Sequence, residues 1–534
     1  MNTKSRTCAG RLFMGLDFST QRLKATLIDS SLGVVHESEI DFDRSLPEFK
    51  TRGGVHRHSD GLTVTAPPLL WVAALDALLD AMRRRRFPFK RVACVSGSGQ
   101  QHGSVYLRHG ADRVLAGLDP ALPLRGQLEG CFSIPDSPVW MDSSTSAQCR
   151  ARDRALGGAQ AVAALTGSRS CERFTGNQIA KIRSKQPEAY AATGRIALVS
   201  SFCASLLIGD YAPIEPGDGA GMNLMNLRTR AWSPAALACT AKNLAARLGA
   251  IVPSHTVIGP ISPWFAARHG FSRACRVVAF SGDNPNSLAA LRLERPGDMA
   301  ISMGTSDTVF GALSSPRPSA TEGHIFGSPI DPEGYMALIG YKNGSLTREW
   351  VRDRFAGGSW PQFERCLAET QPGNRGRIGF YYREPEMTPP VFRTGVWRFD
   401  CRGRPIRRFN EGEDARAVIE GQFLSMRLHG RNIGLAPRKI LATGGASVNR
   451  SILKTMADVF GAPVYTSCRP NSASLGAAYR ALHGWDCARK KRYVPFMESL
   501  RGAPPFERAA EPDPALRATY DPMLERYAKL ERSI

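Results

Sequence analysis

A strand, a small-residue tip and a returning strand occur twice in this chain, and that repetition limits the folds open to it. The first copy runs from Arg11 through Gly15, Asp17, Ser19, Thr20 and Gln21 to Asp29, followed by a turn at Ser30 to Gly33 and a third strand from Val34 to Ile40. In the second, Met299 to Met303 form the first strand, Gly304 to Thr308 the tip and Val309 to Leu313 the return. Apolar runs around a tip of Gly, Thr and Ser predict β-hairpins. Such a tip leaves backbone N–H groups and hydroxyls free, which is what a phosphate needs for close approach. One hairpin of this kind says little, because Gly-Thr-Ser turns are common. Two predict a duplicated domain, each copy presenting a phosphate-facing hairpin to one cleft.

Size agrees with duplication. At 534 residues the chain exceeds a single core, and two domains of about 250 residues each are expected, here 1–296 and 297–534. No window approaches the ~18 uninterrupted apolar residues of a membrane span. The opening residues lack the apolar core of a signal peptide, so a soluble, cytoplasmic protein is expected. Twelve cysteines stand singly, with no Cys-x-x-Cys pair and no metal-ligand spacing with histidine, which predicts reduced, mostly buried thiols. Lys and Arg number 70 against 48 Asp and Glu, a net +22. The longest basic run, Arg83 to Arg86, closes a predicted helix from Pro68 to Met82, where cations complement the C-terminal dipole. The remaining charge is dispersed without a zinc-finger, RNA-recognition or helix-turn-helix signature, so neither nucleic acid nor membrane is an expected partner.

Three junctions carry candidate chemistry. A strand from Val277 to Phe280 runs through Ser281-Gly282-Asp283-Asn284-Pro285 into a predicted helix from Asn286 to Leu293. Asp283 at that corner reads either as a helix cap or as a carboxylate offered to a ligand. A strand from Arg91 to Val95 ends in Ser96-Gly97-Ser98-Gly99-Gln100-Gln101-His102-Gly103, where glycines bring backbone near a ligand and Gln101 and His102 can hydrogen-bond hydroxyls. A strand from Lys439 to Ala442 enters Thr443-Gly444-Gly445-Ala446-Ser447 before a helix that starts at Val448 or Asn449, a junction that sets N–H groups beside an anion. Trp140-Met141-Asp142 reads equally as a core tryptophan beside a cap or as part of a site. The small residues from Ser472 to Leu482 predict a tightly packed structural helix beginning at Asn471. Lys490 to Pro514 reads as linker, and Tyr520, Met523, Tyr527 and Leu530 as one face of a last amphipathic helix.

The two hairpins across a cleft are the arrangement of actin-like, hexokinase-like (ribonuclease H-like) α/β domains, and the chain resembles the FGGY carbohydrate kinases. The likeness extends over nearly the whole chain: Asp17-Phe-Ser-Thr-Gln21, Leu46-Pro-Glu-Phe49, Gly53-Gly-Val-His56, Ser96 to Gly103, Trp140 to Thr145, Leu165 to Arg169, Glu172 to Gln178, Gly282-Asp-Asn-Pro285, Gly304-Thr-Ser-Asp307, Lys342 to Leu346 and Ala442 to Ser447. Two departures stand out. Ser19 stands where many relatives carry glycine, and the Pro-, Gly- and Arg-rich segment from Phe355 to Asp414 runs long.

The resemblance implies an ATP- and Mg²⁺-dependent sugar kinase of two such domains with a catalytic cleft between them. Its details are most similar to the branch of the family that acts on D-xylulose; another ketose or a polyol, such as ribulose, is the alternative acceptor. It further implies that Asp283 is the general base and that Gln101, His102, Arg173 and Asn284 contact the sugar. Ser19, Thr20, Gln21, Gly304, Thr305, Ser306, Trp360, Gly444, Gly445 and Asn449 would hold the nucleotide, with Asp17 near the metal through water. Domain closure would exclude water. A monomer or homodimer is expected. A reading of another class, an actin-like ATPase used for assembly, would share the hairpins but need neither a sugar-facing base nor a Gln-His loop.

Overall fold

The computed structural model describes residues 10–410, 412–467 and 472–534. Cys8, Cys468 and Asn471 lie outside them. The other ten cysteines are free thiols, Cys239 and Cys401 exposed and the rest buried.

The described residues form two compact units. One holds the chain as far as Arg292, Phe326–Glu333 and a run that begins with the Ser472–Lys490 helix and ends at Ala503. The other holds Leu293–Ile325, most of the chain from Gly334 to Ser467, and Pro504–Ile534.

In the first unit, β1 (Leu12–Phe18) is buried along its whole length. β2 (Arg22–Asp29) and β3 (Val34–Asp41) continue from it as an antiparallel meander. On its other side β4 (Val92–Gly99) lies parallel to it. The Pro68–Arg84 helix turns Leu70, Trp71, Ala74, Leu75, Leu78, Leu79 and Met82 into the same apolar cluster as Leu12, Met14, Leu16 and Phe18. That 3-4 spacing is the stripe of a helix packed on a sheet.

The second unit repeats the plan. β5 (Asp298–Met303), β6 (Asp307–Leu313) and β7 (Tyr335–Tyr341) form the meander, and β8 (Lys439–Thr443) lies parallel to β5. The two tips expected from the sequence therefore belong to one topology used twice.

Two expectations of chain organisation differ from what is observed. The boundary at 297 assigned all later residues to the second domain, yet the Ser472–Lys490 helix packs inside the first unit. A Cβ added to Gly15 of β1 would lie 1.9 Å from Ser474 O and 2.3 Å from Ala478 N; one on Gly476 would lie 1.7 Å from Asn286 O. Small residues on both sides let this helix nest between β1 and the Asp283–Ala290 helix, which is why its structural role was legible and its owner was not. The stretch read as linker contains a strand, Glu507–Ala510, paired antiparallel with Val464–Thr466; its exposed Glu507 and Arg508 are edge-strand chemistry that mimics a loop in sequence. The segment from Phe355 to Asp414 carries a helix, Trp360–Glu369, and an antiparallel pair, Ile378–Tyr382 with Gly395–Phe399. Tyr520, Met523 and Tyr527 are buried on the final helix, Arg517–Glu531.

Candidate active site

At the β1–β2 tip the Ser19 hydroxyl donates to Arg22 O (2.8 Å), so the residue that stands in place of glycine closes the turn with its own side chain. Thr20 Oγ1 accepts from Trp140 Nε1 (2.9 Å), and Gln21 is exposed. Trp140 is itself 41% exposed, which removes it from the core. Its neighbour Asp142 is the buried group, accepting from Gln178 Nε2 (2.7 Å) and Val64 N (3.1 Å). Two positions before the tip, Asp17 is buried and its Oδ1 accepts from Ser98 Oγ (2.5 Å) on parallel β4. Burial raises its pKa, opposed by the Ser98 hydrogen bond and by Lys24.

Three of the five expected sugar and catalytic residues, Asp283, Asn284 and Gln101, are linked to one another through hydrogen bonds. Asp283 opens the Asp283–Ala290 helix, with Gly282 in the N-cap position. The capping alternative thus falls on a residue without a side chain. Asn284 donates from its backbone N (2.8 Å) and Nδ2 (3.0 Å) to Asp283 Oδ1, and Nδ2 also reaches Gln101 Oε1 (2.9 Å). Burial, then the nearby charge of Asp17, pushes Asp283 up to about 7 despite these hydrogen bonds. His102 adopts a left-handed backbone (φ 68°) and stacks on Phe174 at 4.4 Å. Its Nδ1–H donates to Gly221 O (3.0 Å), so Nε2 is left as the acceptor. Burial and the Arg173 cation push His102 down to about 3, so it is neutral at physiological pH. Arg173 is close enough to act on His102 electrostatically, and Glu172, its sequence neighbour, accepts from Ser146 Oγ (3.1 Å).

In the second unit the β5–β6 tip holds Gly304, Thr305 and Ser306, the last two exposed. Asp307, which closes that tip in sequence, is fully buried and bound by both terminal nitrogens of Arg348 (2.6 and 3.0 Å). It anchors the hairpin from below. After β8, Gly444 has φ 83° and would bring a Cβ to 2.4 Å from Met303 O, whereas a Cβ on Gly445 would meet nothing within 4 Å. The first glycine is required by the fold; the second leaves open space at a helix N-terminus. Asn449 caps the Arg450–Phe460 helix by accepting from Ile452 N (3.0 Å), and its Nδ2 donates to Glu364 (2.5 Å). Trp360, 37% exposed under the Arg352 guanidinium, lies one turn before Glu364 on the same face of its helix.

Sequence reading passed over several supports: Ser98 for Asp17, Arg348 for Asp307 and Glu364 for Asn449. It also missed Glu215 and Asp218, whose run Glu215-Pro-Gly-Asp-Gly219 reads as a surface turn but is buried. Only Ser98 had a signal, its place in the Gly-rich end of β4. Among the described residues a further acid and histidine group, Asp76, Asp80 and His269, brings ligand atoms within 4.8 Å of one another. Arg268 (3.5 Å from Asp76) and Arg83 (3.2 Å from Asp80) already balance those carboxylates, so an ion-pair network accounts for them.

No helix among the described residues is long and apolar enough to cross a membrane. Residues 135–290 match the N-terminal domain and 299–485 the C-terminal domain of the FGGY family of carbohydrate kinases. A xylulose kinase of Mus musculus is 51% identical over 98% of this chain and 94% of its own length. Xylulose kinase 2 of Arabidopsis thaliana is 49% identical over 92% of this chain and 90% of its own. A solved xylulose kinase of Rhodospirillum rubrum shares the fold with a TM-score of 0.81 over 98% of this chain and 99% of its own, at 18% identity. With identity at this level sustained through both units, the chain belongs to the FGGY family of carbohydrate kinases.

Proposed function

We propose that this carbohydrate kinase transfers the terminal phosphoryl group of ATP to the 5-hydroxyl of D-xylulose, with Asp283 as the general base. The chemistry rests on the state of Asp283, a carboxyl held near 7 beside Asn284 and Gln101. With its pKa raised by burial it is a stronger proton acceptor than an ordinary aspartate, which suits removal of a hydroxyl proton during attack. The choice of sugar draws on the names of the relatives that are about half identical over nearly their whole length.

His102 Nε2 and Gln101 Nε2 offer one acceptor and one donor to sugar hydroxyls, and Arg173 adds a cation beside them. The tips at Ser19 to Gln21 and Gly304 to Ser306 offer N–H groups to phosphates. Gly445 and Asn449 border the α-phosphate and adenosine, with the Trp360 ring as a stacking surface. Asp17 spends Oδ1 on Ser98, and its buried negative charge suits a hydrated cation. A bound Mg²⁺ would neutralise charge on the β- and γ-phosphates.

The test is an ADP-release assay over D-xylulose, D- and L-ribulose, glycerol and xylitol. The highest kcat/KM is expected on D-xylulose. A higher value on any other acceptor replaces the substrate while leaving the kinase.

A further inference from the structure

A second buried acid lies behind the Asp283 corner. Asp218, in the short Pro216–Gly219 helix, is 2% exposed. Its Oδ2 accepts from Ser200 Oγ (2.5 Å), while Oδ1 has no hydrogen-bond partner among the described residues. The turn that carries it braces the sugar-facing wall at two other points. Glu215 accepts from Ser281 Oγ (2.5 Å), two residues before Asp283, and from Ser254 Oγ (2.5 Å). Gly221 O accepts from Nδ1–H of His102 (3.0 Å). Asp218 Oδ1 is the unsatisfied atom between these two struts.

Its position indicates a partner. A Cβ built on Gly282 would lie 2.9 Å from Asp218 Oδ1, 2.3 Å from Gln101 Cγ and 2.8 Å from Gln101 Cδ. Only glycine at 282 lets the acid and the amide converge over one point. Gln101 Oε1 already accepts from Asn284 Nδ2 and has a second lone pair, while Nε2 is without a partner among the described residues. A buried carboxylate oxygen with nothing to accept from is costly unless it carries a proton. Burial, Glu215 and Asp283 push Asp218 up to about 8, against the Ser200 hydrogen bond and the Arg480 cation.

We propose that Asp218 is a positioning residue for the phosphoryl acceptor, its carboxylic acid donating from Oδ1 to Gln101 Oε1 and so holding the Gln101 amide with Nε2 turned to the sugar. The idea rests on the reading of this wall as the sugar site. In the neutral state Gln101 Oε1 receives two donors, Asp218 and Asn284, which sets the amide's orientation and steadies Asn284 against Asp283. Ionisation converts Oδ1 from donor to acceptor. The amide then turns Nε2 towards Asp218, the sugar loses a donor, and Asn284 Nδ2 loses Gln101 Oε1 and keeps only Asp283 Oδ1 as acceptor.

The discriminating readout is the pH dependence of the sugar KM, measured apart from that of ATP. In the wild type the sugar KM rises up to about tenfold above pH 8, the size expected for one lost hydrogen bond, while the ATP KM does not follow it. Asp218→Asn keeps a donor that cannot ionise, so its sugar KM stays flat through the same range. Asp218→Ala raises the sugar KM about tenfold at neutral pH, and the asparagine variant restores it. If the alanine variant does not fold, the asparagine profile alone decides. An alkaline rise retained in Asp218→Asn, or a folded alanine variant with a wild-type sugar KM, overturns the proposal. An infrared difference spectrum between wild type and Asp218→Asn needs no substrate: at neutral pH a protonated-carboxyl C=O band must be lost, and an unchanged band overturns the neutral acid. Failure of D-xylulose in the acceptor panel refutes the substrate alone, and the KM series is then run on the sugar that is phosphorylated.

Discussion

At the scale of single residues, Asp283 is separable from a structural acid by a substitution that keeps its shape. Asparagine retains the contacts to Asn284 but cannot take a proton, and loss of a general base costs on the order of 10² to 10⁴ in rate. Asp283→Asn is expected to fold and bind ATP with kcat on D-xylulose reduced at least about a hundredfold; a variant that keeps most of its kcat removes the role. The pH dependence has a definite sign. The proposed base Asp283 works ionised, and with its pKa pushed up to about 7 wild-type kcat/KM is expected to fall as pH drops below 7. Its folded pKa is raised above that of the unfolded chain, so the stability it contributes is present below about 4 and lost as pH rises through 7. Asp283→Asn should therefore melt higher than wild type at pH 8.5, and equal melting temperatures would contradict the buried charge. His102→Ala should raise the sugar KM far more than the ATP KM, since the ring's free acceptor belongs to the wall of Gln101 and Asn284; equal effects on both substrates would detach it from the sugar. Gly445→Val tests the nucleotide side. A side chain there meets no protein atom within 4 Å, so weaker ATP binding in a fully stable variant is expected, and wild-type affinity would mean that the space is not used by nucleotide.

At the scale of elements, the last helix is fastened by a buried histidine. His429, on the Glu413–Ile433 helix, contacts Glu322 Oε2 through Nδ1 (2.7 Å) and Glu531 Oε2 through Nε2 (3.1 Å). Burial pulls its pKa down, but hydrogen bonds to the two carboxylates and their charges outweigh it and hold it at about 9. A raised histidine contributes stability in full below its unfolded value near 6.5 and loses it as pH climbs through 9. Amide exchange in the Arg517–Glu531 helix should therefore be slower in wild type than in His429→Gln at pH 6, with the gap closing by pH 9.5. A gap that does not change with pH would show the contact to be packing alone.

At the scale of the molecule, the first unit is built from chain segments far apart in sequence. Residues 10–292 expressed alone would leave Gly15 of β1 and the Asp283–Ala290 helix without the helix that covers them. Such a fragment is expected to aggregate, and co-expression with residues 472–503 to recover soluble protein. A monomeric, cooperatively melting 10–292 fragment would refute the dependence. The helix that Asp283 opens is thus held by residues that the chain supplies only after most of the second unit.

The duplicated hairpins, the Gly-rich strand ends at Ser98 and Gly444, and the corner at Asp283 were readable because each is a local pattern: apolar runs set strands, and small residues mark where backbone must turn or be approached. The long helix from Ser472 was readable as tightly packed for the same reason. Its destination was not, because Gly476 fits Asn286 O and Gly15 fits Ser474 O only once distant segments meet. The same limit hid Asp218, whose surroundings in sequence are those of a solvated turn. Local pattern determined the two-domain α/β plan and most of the candidate residues. Tertiary structure alone decided which acids are buried, which hydroxyls and amides face them, and hence which protons they keep at neutral pH, because burial and partner geometry come from residues scores of positions apart.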